Sequence, residues 1–151
     1  MLIYRNDAGA FTRVAGSPLE NGASNPGAVL WADYDNDGDV DVLIVNLNEP
    51  PSLLRNDVSG ANHWLKLKLV GTKSNRSAIG ARVICRYSGK KQVQEVMSQS
   101  SFYSANDCRL HFGLGSAKSA DLEIRWPLGL VQKLERVPVD RILTLTEGKP
   151  L

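Results

Sequence analysis

Trp64-Leu65-Lys66-Leu67-Lys68-Leu69-Val70 decides the fold class. A strict two-residue period puts Leu65, Leu67 and Leu69 on one face of a β-strand and Lys66 and Lys68 on the other. A helix would scatter the leucines around its circumference, so the segment reads as a strand with one apolar and one wet face. The alternation returns in Asp121-Leu122-Glu123-Ile124-Arg125-Trp126, which sets Leu122, Ile124 and Trp126 inward and Asp121, Glu123 and Arg125 outward. Elsewhere short apolar runs are broken by Gly, Asn, Asp, Ser and Pro, the punctuation of an all-β chain. The pattern predicts strands at residues 2–5, 10–14, 29–32, 40–45, 52–55, 64–70, 81–87, 92–97, 109–114, 121–126, 131–136 and 141–146. Ser88-Gly89 and Trp126-Pro127-Leu128-Gly129 carry the residues that tight turns require.

Towards the N-terminus, Tyr4-Arg5-Asn6-Asp7 is echoed by Leu54-Arg55-Asn56-Asp57. About four strands fall within that interval, the spacing of a β-propeller blade or a related stacked repeat. A lone blade cannot bury both faces, so neighbouring blades, a partner chain or the following domain are expected to cover it. The repeat character stops at residues 58–62, and the strands that follow do not repeat. The predicted organisation is therefore a propeller-type blade over residues 1–58 and a small β-sandwich over residues 62–148.

Between the two copies of the echo lies Asp33-Tyr34-Asp35-Asn36-Asp37-Gly38-Asp39-Val40-Asp41. Carboxylates crowded at alternate positions repel one another, and a hard divalent cation such as Ca²⁺, which takes six to eight oxygen ligands, relieves that repulsion. Gly38 gives the backbone freedom for the sharp turn. The expected ligands are the side chains of Asp33, Asp35, Asp37 and Asp41 with a backbone carbonyl from Asp39. An EF-hand would place glutamate at the twelfth loop position, where this chain has Ile44, so the site is predicted to be a β-hairpin calcium loop. Magnesium suits so many protein oxygens poorly, because it keeps its waters.

Charge is unevenly spread: the net value is +2, yet residues 58–94 hold Lys66, Lys68, Lys73, Arg76, Arg82, Arg86, Lys90 and Lys91 without one acid. Such a stretch attracts phosphate or sulfated glycan, or forms a solvated strand face. Cys85 and Cys108 match no metal or redox spacing and are open to two readings, free thiols or one disulfide. His63 and His111 stand apart in the sequence, and the serines lack a Gly-x-Ser-x-Gly elbow. With no phosphate-binding, zinc or dinucleotide fingerprint either, catalysis is not expected. Nor is nucleic-acid binding or membrane insertion, since no apolar run approaches a membrane span and no secretory signal is legible.

Two resemblances cover nearly the whole chain. Residues 2–57 resemble an FG-GAP or VCBS-type repeat of the integrin-like β-propellers, through Tyr4-Arg5-Asn6, Gly9-Ala10-Phe11-Thr12, the Asp33 to Asp41 loop and Leu54-Arg55-Asn56. Residues 62–147 resemble an ASPIC/UnbV domain, found at the C-terminus of such propellers. The motifs are Asn62-His63-Trp64-Leu65, Gly71-Thr72-Lys73-Ser74-Asn75-Arg76, Ile79-Gly80-Ala81-Arg82-Val83, Arg109-Leu110-His111-Phe112-Gly113-Leu114-Gly115 and Arg125-Trp126-Pro127-Leu128-Gly129. Cys108 and Leu128 depart from the family's usual proline and serine. The resemblance implies calcium between two blade strands, extracellular or cell-envelope placement, upstream blades, and adhesion or recognition of a protein or glycan. The leading expectation is a calcium-binding, non-catalytic recognition module. The alternatives are glycan binding by exposed Trp64 and Tyr103, and an accessory role in a biosynthetic complex.

Overall fold

In a computed structural model, residues 2–17, 20, 25–57, 60–100, 105 and 107–150 are described. The chain forms two compact units, residues 1–59 and 60–151. Among the described residues the first unit holds β1 (Tyr4–Asp7), β2 (Ala10–Arg13), β3 (Pro26–Ala32), β4 (Asp41–Asn46) and β5 (Ser52–Leu54). The second holds β6 (His63–Val70), β7 (Arg82–Tyr87), β8 (Lys90–Glu95), β9 (Leu110–Gly115), β10 (Ser119–Arg125), β11 (Val131–Pro138) and β12 (Arg141–Thr146). Each predicted strand is present, displaced by at most a few residues at its ends, and the fold is all-β.

In the first unit β1 and β2 form a hairpin, and β3-β4-β5 form an antiparallel sheet. Val42 and Ile44 of β4 are buried, while on the opposite face Leu30, Leu43 and Leu53 stand in cross-strand register and are 48%, 36% and 51% exposed. This sheet is apolar on both sides, unlike the half-wet antiparallel sheet that alternation would give. The Arg-Asn-Asp echo is also structural. Arg5 pairs with Asp7 and Arg55 with Asp57, each across two residues.

The second unit is a two-layer sandwich. One sheet runs β11-β10-β7-β8 and the other β12-β6-β9, with β12 parallel to β6. Leu65, Leu67 and Leu69 meet Val83, Cys85, Leu122, Ile124, Phe112 and Trp126 in a single buried cluster. Period two thus buries these residues as predicted, Trp126 included. At one side Gln92 and Gln94 of β8 donate to the carbonyls of Gly113 and His111 of β9, tying the sheets together with 2.6 and 2.5 Å hydrogen bonds. Ser88 and Gly89 take positive φ between β7 and β8, and the Gly129 N–H returns to the Trp126 carbonyl, so both predicted turns form. Both cysteines are free: Cys85 lies in the core, where burial pushes its thiol up to about 11, and Cys108 packs against it.

One expectation is corrected. Lys66 does not share a wet face with Lys68, because it is only 3% exposed. Its strand is the central one of three, so His111 and Ile142 flank it across the ladder, and the Asp107 carboxylate feels its charge. Alternation reports which face a residue takes but not what covers that face.

Glu147, immediately after β12, closes the parallel pair. Its N–H continues the ladder to the Val70 carbonyl, and its buried carboxylate accepts the N–H groups of Thr72, Lys73 and Ser74 at 2.8 Å and the Ser74 hydroxyl at 2.8 Å. The loop curls tightly enough that a Cβ on Gly71 would lie 2.2 Å from the Asn75 carbonyl oxygen, which requires glycine there. Burial pushes the Glu147 carboxyl up, but the four donors outweigh it and hold its pKa at about 2, below the usual 4.5. A depressed folded-state pKa contributes stability above pH 4.5 that is lost as the pH falls from there towards 2. Replacing Glu147 with Ala strips three backbone donors of their acceptor, and the melting temperature at pH 7 should fall by on the order of 5 °C or more. Thermal unfolding should also show the wild type losing its advantage over Glu147→Ala as the pH drops towards 2; an unchanged gap would contradict this account.

Candidate metal centre

Two adjacent strands set the acidic loop. It leaves β3 after Ala32 and enters β4 at Asp41, and the Ala32 to Asp41 pairing closes it at the base. Asn36 and Gly38 take φ of 64° and 101°, the left-handed conformations in which Asn and Gly are the least strained residues. Two Asx-type bonds set the rest of the curve: the Asp37 N–H donates to Asp35 Oδ1 at 3.4 Å and the Asp39 N–H to Asp37 Oδ1 at 2.8 Å.

The five aspartates divide by role. Carboxylate oxygens of Asp33, Asp35 and Asp37 all lie within 4.8 Å of one another, with Asp33 buried and the other two exposed. Asp41 is 2% exposed, and its carboxylate accepts the Tyr34 N–H at 3.0 Å and the Asn56 N–H at 2.8 Å, so it ties the start of the loop to its end and to the segment after β5. Asp39 contributes its N–H to the turn, as above. The remaining predicted site residues lie elsewhere. Trp64 is half-buried with its ring 6.1 Å from that of His111, and Tyr103 lies outside the described residues. His63 Nδ1 is 2.7 Å from Asp140 Oδ2, and Asp140 Oδ1 also accepts the Trp64 N–H at 3.3 Å, so this pair anchors the turn between β11 and β12.

Arg55 was legible only as part of a repeated motif. In the structure it approaches Asp35 at 3.6 Å and pairs with Asp57, which raises its pKa further. The second copy of the motif thus places a cation beside the acidic cluster, a role the echo itself does not signal. The donor set fits calcium in kind, since the three carboxylates that converge are the hard oxygen ligands that ion takes.

The family model described as ASPIC and UnbV matches residues 71–150. Among curated proteins, cartilage acidic protein 1 of Mus musculus is 28% identical over 119 residues, covering 76% of this chain. Its counterpart in Homo sapiens is likewise 28% identical over 119 residues, and that in Xenopus tropicalis is 28% identical over 116. The chain spans 17–18% of the length of these relatives.

The division of roles is testable without metal. In chelator, Asp41→Ala should cost about 2–4 kcal/mol, because it leaves two N–H groups without their acceptor. Asp37→Asn keeps the oxygen that Asp39 uses while removing a like charge, and should leave stability unchanged or slightly raised. Chemical denaturation of the two variants in EDTA checks this; a larger loss from Asp37→Asn than from Asp41→Ala would reverse the assignment.

Proposed function

Because this chain belongs to the ASPIC and UnbV family, we propose that it is a non-catalytic recognition module whose first unit is held by a structural Ca²⁺. The observation that carries the metal reading is the convergence of Asp33, Asp35 and Asp37 within 4.8 Å. Each pair of like charges at about 4 Å costs roughly 1 kcal/mol in water and about 4 kcal/mol at the effective dielectric of a protein surface. A divalent ion turns that cost into attraction. Asp33, Asp35 and Asp37 would hold it by side chains and Asp39 by its carbonyl, with Asp41, whose carboxylate already accepts two N–H groups, as the further side-chain ligand.

The first unit is, on this reading, an FG-GAP or VCBS-type propeller blade. Its support is the recurrent Arg-Asn-Asp pairing and the sheet that is apolar on both faces, with Leu30, Leu43 and Leu53 awaiting cover by a neighbouring blade or a partner chain. Extracellular or cell-envelope placement follows from the same kinship, and there the millimolar calcium of the medium suits a weak, oxygen-rich site. The second unit would present the recognition surface to a protein or glycan.

Calcium that binds the folded loop and not the unfolded chain stabilises by mass action, about 2.7 kcal/mol at one hundred times Kd. The wild-type melting temperature should rise with added Ca²⁺ and fall back in EDTA, whereas Asp33→Asn/Asp35→Asn/Asp37→Asn should show no calcium response. A wild type that melts identically over a wide calcium range would defeat the structural role.

A further inference from the structure

The outer face of the β12-β6-β9 sheet gathers cations from three separate stretches of chain. Lys68 comes from β6, Arg76 from the loop that Glu147 clamps, and Arg109 from the position just before β9. Together they line a groove of about 560 Å³, inside the roughly 300–1,000 Å³ range of small-ligand clefts. Asp107 is the one acid among the described residues of its lining. That carboxylate is already engaged, since it takes the Arg109 guanidinium at 2.7 Å and the Arg109 N–H at 2.9 Å. Lys66 lies next along the same face of β6 and is nearly fully buried, so its charge acts through protein and not through solvent. Lys68 and Arg76 have no ion-pair partner among the described residues. The groove also holds the Ser77 hydroxyl and the half-exposed Ile142 side chain, an apolar wall for the C–H face of a ring.

We propose that this groove binds a sugar-sized ligand through an ester oxyanion, sulfate or phosphate, held between Lys68 and Arg76. Two positive charges remain after Asp107 neutralises one of three lining cations, which suits a single mono- or dianionic group. The Arg76 fork and the Ser77 hydroxyl supply directional donors, and Ile142 discriminates a sugar ester from the bare ion. This names a ligand class for the recognition role proposed above but stands apart from the metal, because every residue of the groove belongs to the second unit.

Galactose 6-sulfate, galactose 6-phosphate, galactose and the inorganic ions provide the probes, titrated into the full chain while amide NMR shifts are followed. Both esters should shift resonances at Lys68, Arg76 and Ser77, and galactose should not. Lys68→Ala/Arg76→Ala, at exposed positions, should weaken ester binding on the order of tenfold or more. Lys90→Ala/Lys91→Ala, which removes the same charge beside a second basic hollow, should leave it unchanged. Absence of ester shifts in the groove, equal loss in the two double variants, or galactose binding as well as its esters would each overturn the proposal. Inorganic sulfate or phosphate binding as tightly as the esters would overturn its sugar component. Because the titration is run both with calcium and with EDTA, and binding is expected in both, an empty metal loop leaves this outcome legible.

Discussion

The cost of holding a carboxylate charge where it is buried or crowded is the constraint from which both units are best understood. The chain meets it in two ways. Glu147 and Asp41 are buried acids whose oxygens accept backbone N–H groups, three plus a hydroxyl in one case and two in the other. A carboxylate so surrounded is stable without any ion. Asp33, Asp35 and Asp37 are arranged differently, with their oxygens turned towards a common point. The contrast within one chain gives the metal reading its force, for Glu147 and Asp41 each take two or more backbone N–H groups, whereas Asp35 and Asp37 take one apiece and lie with Asp33 within 4.8 Å.

In the second unit the same chemistry becomes architecture. A parallel pair such as β6 and β12 has no hairpin to hold it, and Glu147 supplies a substitute by fastening the end of β12 to the loop that follows β6. That loop carries Arg76, so the clamp also fixes one wall of the basic groove. Gln92 and Gln94 join the two sheets where β8 meets β9, and the leucines of β6 fill the space between the layers. Polar side chains thus set positions that a non-directional core could not.

Period-two alternation and apolar runs broken by turn residues made the sandwich legible, and the alternation correctly turned Leu65, Leu122, Ile124 and Trp126 inward. Spacing of aspartates likewise marked the loop, and Gly38 its turn. What the sequence withheld depends on cross-strand neighbours. Lys66 looks identical to Lys68 in the pattern and lies on the same strand, but it is flanked by His111 and Ile142 on its two sides and covered where Lys68 is open. Glu147 lies more than seventy residues from the N–H groups it binds, and no local signal connects them. The same limit hid Arg55, whose partner Asp35 is distant in sequence, and the convergence of Arg109 with Arg76. Local chemistry reads from local sequence; charge partners brought together by the fold do not.

Isothermal titration of Ca²⁺ into the metal-free chain tests the central claim most directly. The account predicts heat that saturates at one ion per chain and disappears when Asp33, Asp35 and Asp37 are all changed to Asn. Folded wild-type protein that gives no heat at millimolar Ca²⁺, or a triple variant that binds as the wild type does, would contradict it.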